Sequence, residues 1–244
     1  MVGLKLLRAP RREVEHRHWW FVGRRMIVRS LAAAMPRGLK LDTGCGYRGA
    51  VDGAAGGETC VGLDIELEKL RDFRLAANAM AVCGSAEQLP FLEGSFAAVL
   101  LLDVLEHLRN DWLALSEAFR VLRPGGMALV TVPAFPSLWS RHDDAEMHLR
   151  RYSRDGLVRL CEAAAFRVLK AGYLNVLLFP LAAAWRVVSR RLLRGRVPRD
   201  DFYMPPGPVN LLLAHLFAAE RALLPGVRAP FGLSAFALCT KPCA

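Results

Sequence analysis

Short apolar runs alternate with amphipathic stretches through the middle of the chain. Five such runs predict buried strands, because each is continuous and rich in aliphatic side chains. Strands separated by helices in this way are typical of a parallel sheet that is covered on both faces. The five runs are Leu39–Asp42, Cys60–Leu63, Ala81–Cys83, Ala97–Leu102 and Met127–Val132, and two further strands are predicted at Phe166–Tyr173 and Gly232–Thr240.

The segments around this sheet have a different pattern. Residues 11–36 show helical spacing of apolar and aromatic positions and predict one helix that ends at Pro36. About 55 residues between the last two strands predict two apolar helices with a connector rich in proline and arginine. The chain is therefore divided into an N-terminal helical segment at 1–36, a core at 37–174, an insertion at 175–228 and the last strand at 229–244.

Composition indicates a folded protein with a basic surface. The apolar share is 53%, the charged share is 23% and the net charge is +10. Such a surface could face nucleic acid, an anionic membrane or an acidic substrate, or it could simply be solvated.

The sequence also bears on the cellular compartment. No apolar run reaches the ~18 residues of a membrane span. Because no secretory signal is recognised and no Cys-x-x-Cys pair occurs, the six cysteines predict reduced thiols in a cytoplasmic protein.

A glycine-rich turn follows the first predicted strand. It reads Asp42-Thr43-Gly44-Cys45-Gly46, and such a turn lets a ligand approach the main chain closely. Asp64 ends the second strand, and an acid at that place accepts hydrogen bonds from ribose hydroxyls in nucleotide-binding sheets. The Gly-x-Gly-x-x-Gly spacing of nicotinamide dehydrogenases is not present at Gly44.

Three further segments stand in order after these two: Gly84–Phe91, Asp103-Val104-Leu105-Glu106-His107, and Val121–Gly126. The whole succession resembles the class I S-adenosylmethionine-dependent methyltransferases that act mostly on small molecules. The resemblance implies a Rossmann-like seven-stranded α/β sheet with S-adenosylmethionine as cofactor. It also implies cofactor contacts from Asp42, Gly44, Cys45 and Gly46 at the methionine end, Asp64 and Ile65 at the ribose, Ser85 and Ala86 at the adenine, and Asp103 and Val104 below the sulfonium.

Two positions depart from the family pattern. Arg48 stands where a glycine is usual and Gly49 follows it, so the turn is expected to be one residue longer. Ser85 stands where the family usually has an acid, and Glu87 could replace that acid.

The first candidate for catalysis follows the fourth strand. His107 could act as general base, because the pKa of histidine suits neutral pH. Alternatively, Asp103, Glu106 and His107 could hold a divalent metal, since their spacing resembles a metal-binding segment of ubiquinone-pathway and small-RNA methyltransferases. A third reading gives Glu106 and His107 a structural role only. We expect chemistry without a metal, because two carboxylates and one imidazole are an incomplete ligand shell.

The second candidate follows the fifth strand. His142 and His148 lie on a predicted polar loop and are further candidate bases. The His-x-Arg-Arg-Tyr segment from His148 resembles a subgroup of these methyltransferases that also has an aromatic N-terminal segment, here around Trp20. Substrate contacts are expected from Trp20, Arg150, Arg151 and Tyr152, because guanidinium groups bind carboxylate or phosphate and an aromatic residue can close the site.

The insertion allows two interpretations. It could cover the acceptor pocket as a lid, or it could lie on a membrane surface with its arginines facing anionic lipid.

The chain as a whole is interpreted as an O-methyltransferase for a small acceptor that is acidic or lipid-like. The alternatives are a metal-dependent O-methyltransferase, a nucleic-acid methyltransferase, and a membrane-associated scaffold that binds cofactor without catalysis. We expect no nucleic-acid partner, because no base-stacking or groove-reading motif is evident.

Overall fold

Seven strands form one mixed sheet in a computed structural model that describes residues 11–47, 49, 58–73, 78–184, 204–222 and 229–243. The strands are β1 Lys40–Thr43, β2 Cys60–Asp64, β3 Ala79–Cys83, β4 Phe96–Leu102, β5 Leu122–Pro133, β6 Arg167–Leu174 and β7 Ser234–Thr240. Their order in the sheet is β3-β2-β1-β4-β5-β7-β6, which confirms the predicted Rossmann-like architecture.

The last strand differs from the expected parallel sheet. β7 lies between β5 and β6 and is antiparallel to both. The chain leaves the sheet at Leu174 and re-enters it beside that residue, where Ser234 pairs with Leu174 and Gly232 contacts its carbonyl group. A strand that re-enters at the edge where its predecessor left needs no crossover and therefore runs in the opposite direction.

Helices cover both faces of the sheet, as continuous apolar strands require. In β4, Val99 and Leu101 face one core, and Leu100 and Leu102 face the other. The helices are α1 Arg11–Arg17, α2 Trp19–Ala32, α3 Leu67–Phe73, α4 Asp111–Val121, α5 Arg141–Ala145, α6 Arg154–Ala163 and α7 Gly207–Ala219. The first core is closed by α4 and α6, and the second by α2 and α7.

The single helix predicted over residues 11–36 is two helices. His18 interrupts it with an extended backbone (φ −65°, ψ 136°), and its side chain accepts a hydrogen bond from the Trp20 amide. This is the geometry of a helix N-cap, so the break starts α2 in a new direction. The periodicity of the apolar residues continues across the break and therefore does not reveal it.

The insertion is described in part. A helical segment at residues 179–184 follows β6, and α7 precedes β7. The arginine-rich connector, with Arg186, Arg190, Arg191, Arg194, Arg196 and Arg199, lies outside the described residues. None of the helices in the described ranges has the length and apolar character needed to cross a bilayer.

Candidate active site

A cavity of about 1080 Å³ lies along the carboxyl ends of the strands. This volume slightly exceeds the ~300–1,000 Å³ usual for small-molecule sites. Its walls include the ends of β1, β2, β4 and β5, the helices α1 and α2, and the described ends of the insertion. The cavity is thus large enough for a nucleotide-like cofactor and a second ligand side by side.

The glycine turn after β1 forms the floor of one end of the cavity. Gly44 has φ +69°, and a Cβ atom there would lie 2.6 Å from the Val104 side chain, so a larger residue would block the turn. The turn extends to Gly49, which has φ +71° and donates its amide hydrogen to the Cys45 carbonyl at 2.7 Å. Gly49 therefore has the left-handed conformation that glycine adopts readily, one residue after the family's usual glycine position. Arg48 lies outside the described residues.

Asp64 joins the ends of β1 and β2. Its carboxylate accepts hydrogen bonds from the Gly46 amide at 3.0 Å and from the Glu66 amide at 2.9 Å. Asp64 and Ile65 both line the cavity, as do Asp42 and Cys45. The structure thus brings the residues predicted for the methionine and ribose ends together on one wall.

The end of β3 supplies the next part of that wall. Ser85 and Ala86 line the cavity, together with Gly84. Glu87 was offered as a replacement for the missing acid, but it is not among the lining residues and its carboxylate accepts a hydrogen bond from the Asn110 amide at 2.8 Å. Contacts with an adenine at this place would therefore come from Ser85 and Ala86.

Two acids follow β4 and lie in different surroundings. Asp103 has φ +55° and pairs with Arg24 at 3.0 Å, and Val104 lines the cavity next to it. Glu106 is 1% exposed, and neither carboxylate oxygen has a hydrogen-bond partner among the described residues. Burial, together with the negative charge of Asp103, raises the pKa of Glu106 well above the ordinary value, which favours a neutral side chain at pH 7.

Three predicted histidines meet at the other end of the cavity. The ring centroids of His107 and His148 lie 4.8 Å apart, and those of His142 and His148 lie 6.0 Å apart. All three line the cavity. Burial and the neighbouring His148 lower the pKa of His107, so His107 is neutral at pH 7.

One of these histidines is oriented by a buried carboxylate. Nδ1 of His148 lies 2.9 Å from Oδ1 of Asp143, whose side chain is fully buried. Arg151 donates from Nε to the same oxygen at 2.7 Å and from Nη1 to the Ala134 carbonyl at 2.7 Å. Burial alone would raise the pKa of Asp143, but the hydrogen bond from His148 and the charge of Arg151 hold it well below its usual range.

The ionised Asp143 determines the tautomer of His148. Because a carboxylate only accepts hydrogen bonds, Nδ1 of His148 donates to it, and Nε2 is the basic nitrogen. A base held in this way by a third group is the arrangement found at many sites of nucleophile activation.

The structure does not bring Arg150 and Tyr152 into this cavity. Both bind the carboxylate of Asp111, at 3.0 Å from the Arg150 guanidinium and 2.8 Å from the Tyr152 hydroxyl. Neither residue is among those that line the cavity, whereas Arg151 and Trp20 are. Of the predicted substrate residues, only Trp20 and Arg151 therefore line the cavity, and the Arg151 guanidinium is already bound to Asp143 and Ala134.

Apolar side chains face the histidine end. They come from the start of α2 (Trp19, Trp20 and Phe21), from the insertion (Leu178, Leu181, Ala182 and Leu213) and from the approach to β7 (Leu233). The insertion also contacts the loop after β5, since the rings of Phe135 and Phe179 lie 5.8 Å apart. The described part of the insertion thus forms one wall of the cavity, as a lid would require.

Three side chains of the cavity wall lie close enough together to hold a metal ion, and they differ from the predicted set. Ligand atoms of Glu106, His107 and His148 lie within 4.8 Å of one another. Asp103, which the spacing argument included, instead pairs with Arg24. The two unpartnered oxygens of Glu106 would fit a cation, although the same group also fits a neutral acid that donates to a ligand.

Several residues of the site were not singled out from the sequence. Asp143 lies with His142 in α5, and its position in the sequence close to His142 and His148 was the only available signal. Glu15 of α1 accepts a hydrogen bond from the Tyr47 amide at 3.2 Å, and Arg11 pairs with Glu146 at 2.7 Å. These contacts place α1 across the cavity, and no local motif indicated them.

Comparison with known proteins agrees with this geometry. The methyltransferase domain family matches residues 41–130. A protein of Encephalitozoon cuniculi whose name places it among the methyltransferases is 30% identical over 155 residues, which cover 54% of this chain and 71% of that protein. A Mycolicibacterium smegmatis protein named for S-adenosylmethionine-dependent methyl transfer is 29% identical over 155 residues. The matched part is 62% of this chain and only 60% of that relative.

Solved structures show the same fold at lower identity. The methyltransferase in a complex with the Haloferax volcanii Trm112 methyltransferase activator has a TM-score of 0.62 and 18% identity, covering 95% of this chain and 92% of that chain, which shows a common fold. The matched domain and the sequence relatives show that the chain belongs to the S-adenosylmethionine-dependent methyltransferases and uses S-adenosylmethionine as its cofactor.

Proposed function

We propose that this methyltransferase acts on an oxygen of a small acceptor that is acidic or lipid-like, with His148 as the general base. The pair of Asp143 and His148, joined at 2.9 Å in the wall of the cavity, is the observation on which the proposal rests. An oxygen acceptor must lose a proton during methylation, whereas donor and acceptor otherwise need only be positioned.

The proposed reaction is an in-line displacement. The acceptor oxygen forms a bond to the methyl carbon, the carbon–sulfur bond breaks, and its electron pair stays on sulfur to give S-adenosylhomocysteine. The hydroxyl proton of the acceptor passes to Nε2 of His148, and the resulting imidazolium is stabilised by the Asp143 carboxylate at Nδ1.

The surrounding residues support this division of roles. His107 is neutral at pH 7 and lies beside His148, so it can donate to or accept from the acceptor without adding charge. Glu106 in its neutral form can donate a hydrogen bond to an acidic group of the acceptor. Arg151 is occupied by Asp143 and Ala134 and is proposed as a positioning residue.

On the cofactor side, we propose that Asp42, Gly44, Cys45 and Gly46 hold the methionine end and that Asp64 and Ile65 hold the ribose. Ser85 and Ala86 would then border the adenine, and Asp103 and Val104 would lie below the sulfonium. The support is that all ten residues line the same cavity.

Methyl transfer from carbon-13-labelled S-adenosylmethionine tests the proposal directly. Candidate acceptors are phenolic and hydroxylated acids and hydroxylated lipids, and the chemical shift of the transferred methyl carbon distinguishes O-methyl products from N- and C-methyl products. An O-methyl product that forms in the presence of EDTA supports the proposal. A product methylated at nitrogen or carbon would refute the choice of oxygen.

Metal-dependent O-methylation is a second candidate, favoured by the group of Glu106, His107 and His148. If this candidate is correct, EDTA abolishes the transfer and magnesium restores it. Methylation of nucleic acid and a scaffold without catalysis gain no support from the site or from the relatives.

A further inference from the structure

The outer face of α7 is apolar, although it is exposed. Val209, Leu211, Leu212 and Leu216 are 47%, 57%, 59% and 39% exposed. The helix has no Asp, Glu, Lys or Arg among its 13 residues. Surface helices normally direct charged and polar residues outward, so this exposed face needs another explanation.

The inner face of α7 is firmly packed, so its orientation is well defined. Phe217 is 1% exposed and lies against Gly23 of α2, where a Cβ atom would come within 2.7 Å of its ring. The Asn210 side chain accepts from the Trp19 amide at 2.8 Å and donates to the Arg17 carbonyl at 2.7 Å. The leucines therefore face outward because the opposite side of the helix is held by α2.

The apolar surface continues into the mouth of the cavity. Leu213 of α7 lines the cavity, and so does Leu181, which is also 73% exposed. Leu177 lies next to this segment and is 47% exposed. A ligand with a hydrocarbon chain could thus pass from the outer surface to the histidine end along aliphatic side chains.

Positive charge flanks the surface. Arg221 is exposed shortly after the end of α7, and Arg17, beside its start, is also exposed and pairs with Glu13 at 3.0 Å. The chain has a net charge of +10, to which the six arginines between 186 and 199, outside the described residues, contribute. An aliphatic face with flanking cations suits an anionic lipid surface, whereas protein interfaces are enriched in aromatic residues and direct hydrogen bonds.

We propose that the exposed face of α7, together with Leu177 and Leu181, docks on an anionic lipid bilayer, and that the acceptor is an amphiphile that enters the cavity from this surface. The docking surface is inferred independently of the reaction, whereas the class of acceptor rests on the proposed function. Docking would place the apolar wall of the cavity toward the acyl chains and His148 toward the polar headgroup of the acceptor.

Co-sedimentation with vesicles tests the docking surface. The full chain is mixed with phosphatidylcholine vesicles, with and without phosphatidylglycerol, and compared with the variant Leu211→Ser, Leu212→Ser, Leu216→Ser. We expect binding to the vesicles that contain phosphatidylglycerol, and a loss of at least ~10-fold in the partition coefficient of the variant, because three inserted leucines are replaced by polar residues. High salt should weaken the binding of the unaltered chain.

The matched control is Leu92→Ser, which changes a leucine that is 82% exposed in the loop before β4. This variant should bind vesicles as the unaltered chain does. Docking is refuted if the unaltered chain remains in the supernatant, or if the triple variant binds equally well. It is also refuted if sedimentation equilibrium shows a dimer that the triple substitution dissociates while no vesicles are bound.

Cofactor titration separates the failure of docking from the failure of the proposed function. The triple variant should bind S-adenosylmethionine with unchanged affinity, because the substituted side chains are exposed and distant from the glycine turn. If His148→Ala still methylates an acceptor at the full rate while vesicle binding persists, the proposed base is refuted and docking stands. If short-chain and long-chain versions of one accepted alcohol react equally well, the amphiphile is refuted and O-methylation stands.

Discussion

The two ends of the cavity are built in different ways. At the cofactor end, the ligand-facing groups follow directly on β1, β2 and β3, and main-chain amides and glycines form much of the surface. At the histidine end, side chains from α2, the segment after β5 and the insertion converge, and the fully buried carboxylate of Asp143 binds His148 and Arg151. The first end is therefore a product of the sheet, whereas the second depends on charged side-chain contacts, both within residues 143–151 and between Arg11 and Glu146.

This difference has an energetic consequence. The glycine turn is held by main-chain hydrogen bonds and by the Asp64 carboxylate, which accepts from the Gly46 amide, and none of these contacts is a buried ion pair. A buried ion pair is different, because removing one partner leaves the other charge without compensation. We expect substitutions at the histidine end to affect folding and catalysis together, and substitutions at the cofactor end to affect mainly binding.

The largest effect is expected for Asp143→Ala. Arg151, whose side chain is 2% exposed, would lose its partner, and stability should fall by ~3–5 kcal/mol. Chemical denaturation measures this loss. The control is Asp144→Ala, which removes a neighbouring acid whose contact is with Trp139 at the exposed surface. A loss below 1 kcal/mol, by the scale of surface substitutions, would show that the network does not hold this end together.

The same carboxylate predicts the acid limit of the fold. The pKa of Asp143 is lower in the folded chain than in the unfolded chain, where it is ~3.9. Its contribution to stability is therefore present above pH ~3.9 and is lost as the pH falls below that value through the folded pKa. Denaturation curves recorded between neutral and acidic pH should show that the free energy of unfolding falls more steeply for the unaltered chain than for Asp143→Ala.

The next largest effect is expected for His148→Ala. Turnover should fall by ~100-fold or more, because general-base catalysis by a positioned side chain is lost. Affinity for S-adenosylmethionine by calorimetry should not change, since His148 lies at the opposite end of the cavity. His16→Ala, which lies outside the cavity lining, should retain normal turnover. Equal turnover in both variants would remove His148 from the mechanism.

A smaller effect is expected for Asp64→Ala. Affinity for S-adenosylmethionine should fall by roughly 10- to 100-fold, because charge-assisted hydrogen bonds to the ribose hydroxyls are lost. Glu68→Ala in α3 is the control, because it removes an exposed acid of the same region that does not line the cavity. If both variants bind the cofactor as the unaltered chain does, Asp64 has no contact with the ribose.

The smallest effect is expected for Glu106→Gln. Burial raises the pKa of Glu106 in the folded chain above its pKa of ~4.3 in the unfolded chain. The contribution of this group to stability is therefore complete below pH ~4.3 and is lost as the pH rises through the pKa of the folded chain. Glutamine removes this titration and keeps a hydrogen-bond donor. The variant should melt at a higher temperature than the unaltered chain at neutral and alkaline pH, and the difference should shrink in acid. If the variant instead melts lower and no longer responds to magnesium, the metal-dependent alternative gains support.

The cofactor end was largely predictable because its signals are short and local. The turn at Gly44, the acid at Asp64 and the segment from Asp103 each stand directly after a strand, and parallel strands bring their carboxyl ends to one edge. The displaced glycine also predicted a longer turn, and the Gly49 amide donates to the Cys45 carbonyl. By contrast, Glu87, two residues after the expected position, was offered as a replacement acid, yet its carboxylate accepts from the Asn110 amide, because nearness in sequence does not define the direction of a side chain.

The histidine end was predictable only as a set of candidates. The sequence placed His107, His142 and His148 near the same edge of the sheet, but an acid close to two histidines did not indicate which of them Asp143 would orient. Arg150, Arg151 and Tyr152 are consecutive, yet only Arg151 faces the cavity, whereas the other two bind Asp111. Neighbours in an irregular segment point in different directions, so their roles depend on the contacts that the fold provides.

The sequence by itself determined the sheet, the cofactor turn and the class of reaction. Continuous apolar strands must be covered on both faces, and a glycine turn followed by an acid at the next strand end is a strictly local arrangement. Only the tertiary structure decided that the helix over residues 11–36 breaks at His18, that β7 runs antiparallel, that Asp143 and Arg151 orient His148, and that α7 faces outward with leucines. The direction of β7 and the orientation of α7 depend on segments distant in sequence that become neighbours on folding. The break at His18 and the contacts of Asp143 are close in sequence, but they depend on backbone and side-chain directions that residue patterns do not encode.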